Sequence, residues 1–66
     1  MPFSQFDVFE GVFPDQDLIW IQSMNTSKTA CEFMFRLAKR NPERPYFTVN
    51  ILTHELIASV ASNKPQ

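Results

Sequence analysis

Aromatic and β-branched residues dominate the first stretch of the chain, at Phe3, Phe6, Val8, Phe9, Val12 and Phe13. That composition predicts a strand over about residues 3–13, with Gly11 near its end or at a bulge. Phe13-Pro14-Asp15-Gln16 suits a turn with proline at its second position. A second strand follows over 18–23, where Leu18-Ile19-Trp20-Ile21-Gln22-Ser23 is too apolar for either side to be fully wetted. The period then changes. Ala30, Phe33, Met34, Leu37 and Ala38 recur at steps of three and four, which predicts a helix over about 26–40. Asn25 or Thr26 can cap its first amides, and Thr29 with Glu32 offers a capping box one turn later. Arg36, Lys39 and Arg40 suit the negative end of its dipole, and Asn41-Pro42 ends it. On the helical wheel Cys31 lies at the margin of the apolar stripe, whereas Phe35 falls beside Lys28, Glu32 and Lys39 on the side expected to be wet.

Tyr46-Phe47-Thr48-Val49-Asn50 predicts a third strand over 46–50, and Glu55 to Val60 a fourth over 55–60. The turn between them holds no glycine, so His54 or Asn50 has to take positive φ. The tail 61–66 is expected to fray. Prolines at 2, 14, 42, 45 and 65 fall between these elements, as residues lacking a donor should. The reading is one α+β domain over 1–66, a ββαββ four-stranded sheet with one helix packed on one face. Strands two and three, joined through the helix, should run parallel in that sheet with a right-handed crossover. The other face would expose a set drawn from Phe9, Leu18, Trp20, Tyr46 and Thr48, according to register.

Size sharpens the meaning of that face. A 66-residue chain buries only about 60% of its unfolded surface, and the lone Cys31 excludes an internal disulfide, which leaves association with a second subunit as the expected support. Seven Phe with Trp20 and Tyr46 are more aromatic surface than so small a core hides. Phe9, Trp20, Phe35 and Tyr46 are therefore the candidate surface for a homodimer or another protein partner. No run reaches the roughly 20 apolar residues that span a bilayer, and the first residues lack the pattern of a secretion signal, so a cytoplasmic protein without membrane contact is expected. Charge is divided along the chain. Residues 1–25 hold four acids and no base, or -4, and residues 26–66 hold six bases against three acids, or +3. Nucleic-acid contact, head-to-tail association and pairing within the fold would each account for it.

Candidate chemistry is sparse. His54 and Glu55 are adjacent, but neighbours on a strand point to opposite faces. Cys31 has no base near it in sequence and reads as a small apolar residue at the core margin. Asp7, Glu10, Asp15 and Asp17 read as solvated carboxylates, not metal ligands. A phosphate-cradling loop needs several glycines, and the chain has only Gly11. No catalytic residue, metal site or cofactor is expected. Arg36, Lys39, Arg40 and Arg44 with Tyr46 form the one alternative constellation, able to hold a phosphate backbone and stack a base. The leading expectation is a non-enzymatic, self-assembling interaction module. The alternative is a nucleic-acid-associated regulator using the basic helix end.

Trp20-Ile21, Ala30 with Met34, Leu37-Ala38, Asn41-Pro42 and Tyr46-Phe47 before a short hairpin resemble, over about residues 20–59, small uncharacterised bacterial ββαββ proteins. In those a tryptophan-bearing strand, one helix and an aromatic hairpin follow in this order. Relatives of that kind commonly turn the last hairpin on Thr-Gly, and this chain matches at Thr53 but carries His54 in place of the glycine. The resemblance implies the architecture and His54 as a turn residue, and it implies no activity.

Overall fold

The computed structural model describes residues 5–13 and 17–62. The elements are β1 (Phe6–Glu10), β2 (Ile19–Met24), α1 (Ser27–Arg40), β3 (Tyr46–Asn50) and β4 (Glu55–Val60), which is the expected α+β order. The last two strands fall on the expected residues. β1 is shorter than expected because Gly11 turns the chain at φ 143°, a conformation that side chains resist. A Cβ there would also stand 3.3 Å from the Asp17 carbonyl oxygen. The expected turn at Pro14-Asp15-Gln16, the strand residues at 3 and 4, and the tail from 63 lie outside the described residues.

The four strands form one open sheet in the order β2-β1-β3-β4, and every neighbouring pair is antiparallel. β2 and β3 run in the same direction, as their helical connection requires, yet β1 lies between them and no parallel ladder forms. Helix α1 begins at the N-cap Thr26, whose Oγ1 accepts from the Thr29 amide at 3.1 Å. It ends at Asn41, whose backbone and side-chain nitrogens both donate to the Leu37 carbonyl, at 2.9 and 3.2 Å. Ala30, Met34 and Ala38 on the helix pack on Val8 and Tyr46 of the central strands, with Phe6, Ile21, Met24, Phe33, Leu37, Ala58 and Val60 around them.

This register corrects one expectation. Tyr46 and Thr48 do not join the face away from the helix; they point under it and are buried. Alternation then sends Phe47 and Val49 to the helix-free side.

Each outer strand carries one bulge. Val8 pairs with Gln22 and Phe9 with Trp20, so Ile21 of β2 is skipped. Thr48 pairs with Ala58 and Val49 with Leu56, so Ile57 of β4 is skipped. An extra residue reverses which side chains beyond it face which side. Ile21 therefore packs into the core while Trp20 and Leu56 come out on the helix-free face, 57% and 44% exposed.

Candidate functional site

The helix-free face carries a cluster of aromatic and aliphatic side chains. At its centre Phe47 is buried without help from the helix. Phe9 stacks on it with centroids 5.2 Å apart, and Phe13 meets it edge-on at 5.5 Å. Around these rings lies a cavity of about 230 Å³ lined by Phe9, Phe13, Leu18, Phe47, Val49 and Ile51, together with His54. A second cavity of the same volume opens beside Phe13 and Phe47, toward Leu56 and Ser59.

Trp20 stands beside this surface in a fixed pose. Its Nε1–H donates to Ser23 Oγ at 3.3 Å, and the Ser23 hydroxyl donates to Asp7 Oδ1 at 2.6 Å. Asp7 is itself buried, which corrects the expectation of a solvated carboxylate at this position. The indole N–H is thus satisfied within the chain while the ring remains exposed.

The expected turn chemistry is present at His54, which adopts φ 63° and donates its amide to the Asn50 carbonyl at 2.7 Å. Asn50 Oδ1 holds the same turn by accepting from the amides of Leu52 and Thr53. His54 lines the cavity on the helix-free side, whereas Cys31 sits half-buried on the helix, so the sheet separates them. Burial pushes the Cys31 thiol up, which disfavours the thiolate a nucleophile needs. No group of three His, Cys, Asp or Glu side chains is placed to hold a metal ion among the described residues.

The four expected surface aromatics separate. Phe9 and Trp20 are register partners on the helix-free face. Phe35 is exposed on the outer side of the helix, and Tyr46 is in the core, where it cannot serve as a contact surface. Burial raises the Tyr46 phenol, with Glu10 adding to the effect.

The basic group is also divided. Arg44 Nη1 pairs with Glu10 Oε1 at 3.2 Å and its Nε lies 3.8 Å from Glu43, while Arg36, Lys39 and Arg40 stay exposed on the helix without the buried Tyr46 to stack a base. The Glu10–Arg44 pair joins the acidic first part of the chain to the basic second part, so part of the charge division is resolved inside the fold.

Sequence reasoning missed Phe47, Leu56 and the Trp20–Ser23–Asp7 relay. Strict alternation from Tyr46 would have separated Phe47 from Tyr46, but the bulges that bring out Trp20 and Leu56 leave no local residue signature. Among the described residues no helix is long and apolar enough to cross a membrane. Compared with protein-family models, curated proteins and solved structures, the chain matches none of them.

Proposed function

We propose that this chain is a small non-enzymatic self-assembly module, a homodimer that buries the helix-free sheet face against a second copy. The observation that carries the reading is Trp20, 57% exposed on an apolar face with its one polar atom already bonded at home. An exposed aromatic that needs no new hydrogen-bond partner loses little and gains much by being covered. The surrounding exposed residues, among them Phe13, Ile51 and Leu56, extend the same apolar surface.

Light scattering across a dilution series tests it. The expected result is a mass that falls from two copies to one as concentration drops through the micromolar range. A single-copy mass up to the millimolar range would sink the reading.

A further inference from the structure

We infer that the outer face of α1 is a binding site for single-stranded nucleic acid, with Phe35 stacking on a base while Arg36, Lys39 and Arg40 hold the adjoining phosphates. The inference is independent of the homodimer reading, because the helix packs on the opposite side of the sheet from the face that reading uses.

The two layers of the fold carry opposite charge. The four strands hold Asp7, Glu10 and Glu55 and no Lys or Arg, or -3. The helix holds Lys28, Arg36, Lys39 and Arg40 against Glu32 alone, or +3. The net charge of -1 for the whole chain therefore hides a basic layer that a polyanion can approach from outside. All four cations are exposed, and none forms an ion pair with a described residue, not even Lys28 or Arg36 with Glu32 four residues away. A phosphate that binds here displaces no existing pair.

Burial of Ala30, Met34 and Ala38 turns the other side of the helix outward, and Phe35 is 52% exposed there. Phe35 and Lys39 are four residues apart, Lys39 and Arg36 three, and Arg36 and Arg40 four. Each therefore neighbours the next on the helix surface, with about 5–6 Å between Cβ atoms. Lys28 lies two turns before Phe35. From Lys28 to Arg40 the helix rises about 18 Å, the length of roughly five nucleotides at 3.4 Å each.

A lone ring among cations distinguishes between polyanions. An unstacked base offers Phe35 a π-face, and its flanking phosphates offer the cations their partners. In a duplex the bases already stack on one another and give the ring nothing to cover. A bilayer surface takes up an apolar stripe, whereas Phe35 is the one exposed apolar side chain of Ser27–Arg40. The sheet has more rings, but its strands carry acids that repel the backbone such rings would need.

Fluorescence anisotropy with labelled oligonucleotides tests the site on the full chain. A strand of about twelve nucleotides of mixed sequence, made as DNA and as RNA, should bind at about 50 mM salt, and the matching DNA duplex at least fivefold more weakly. Binding of one strand type without the other supports the inference and reports on the 2′-hydroxyl. Three phosphate contacts give log K a slope of about -2 against log salt, and Arg36→Gln with Lys39→Gln should reduce it to about -0.7. Phe35→Ala should weaken binding about tenfold at unchanged slope, and Phe35→Tyr should retain it. No anisotropy change with either strand, equal affinity for the duplex, or indifference to Phe35→Ala overturns the inference. Sedimentation with phosphatidylglycerol vesicles in the absence of oligonucleotide binding would make the patch a membrane contact and overturn it as well.

Discussion

Phe9 and Trp20 face each other across β1 and β2 because the chain skips Ile21 between them and Ser23. In an unbroken ladder counted from the Asp7–Ser23 pair, Ile21 would oppose Phe9 and Trp20 would turn toward the helix side. One residue thus decides whether the largest side chain of the protein is core or surface, and the serine and aspartate then fix its pose.

Ser23→Ala removes the hydroxyl that both accepts from Trp20 and donates to Asp7. The buried carboxylate loses a donor, a change that costs about 1–3 kcal/mol. Urea unfolding should record that loss, and the indole N–H should exchange faster by NMR. An unchanged exchange rate would mean that the relay does not hold the ring.

Thr48 presents the opposite case. Its Oγ1 is fully buried and has no hydrogen-bond partner among the described residues. Thr48→Val keeps the shape and removes the orphan group, so stability should rise by about 1 kcal/mol. A loss of stability on thermal melting would indicate that the hydroxyl has a partner.

His54 holds φ 63° at the cost of left-handed backbone, about 1–2 kcal/mol for a residue with a Cβ. Glycine avoids that cost but loses more chain entropy on folding, by roughly 0.5–1 kcal/mol. His54→Gly should therefore raise the melting temperature by a few degrees at most, whereas His54→Val should lower it. A lower melting temperature for the glycine variant would assign the imidazole a stabilising contact with the cavity.

Tyr46 and Cys31 set the alkaline limit. Both hold their protons more tightly in the fold than their ordinary values of about 10 and 8.5, chiefly through burial. Below those values both groups are protonated in folded and unfolded chains alike, and the stability is fully present. As pH rises past them the unfolded chain ionises first, binds fewer protons, and becomes favoured, until the folded groups ionise too. Urea midpoints should fall as pH rises past the ordinary values of about 8.5 and 10. A Tyr46→Phe, Cys31→Ala double variant should show a flatter profile, and equal slopes for it and the wild type would refute the assignment.

Legibility from sequence followed the strength of local patterning. The helix could be read because Ala30, Met34 and Ala38 repeat on one face and Thr26 caps it, signals carried by neighbouring residues. The turn at His54 followed from the lack of any glycine there. Strand order could not be read, because Phe6, Val8 and Phe9 make β1 apolar on both sides, which suits a central strand without naming its neighbours. Tyr46 takes the face opposite to the expected one for a related reason: five consecutive residues of β3 are buried or half-buried, so alternation in burial does not distinguish the helix side from the open side. The relay from Asp7 to Trp20 spans 16 residues between Asp7 and Ser23, a separation at which side-chain pairing has no sequence signature.

The central place of β1 also governs how the molecule comes apart. Each hairpin contributes one inner strand, and the seam between β1 and β3 is where the two hairpins meet, with the Phe9–Phe47 stack on one side and the helix lying across Val8 and Tyr46 on the other. Opening that seam strips both hairpins of their cover together, and neither retains enough apolar contact to persist as a two-stranded ribbon. Amides of the inner strands should thus share a single exchange-protection free energy, equal to that of global unfolding, and the domain should melt as one cooperative unit despite its two-hairpin plan.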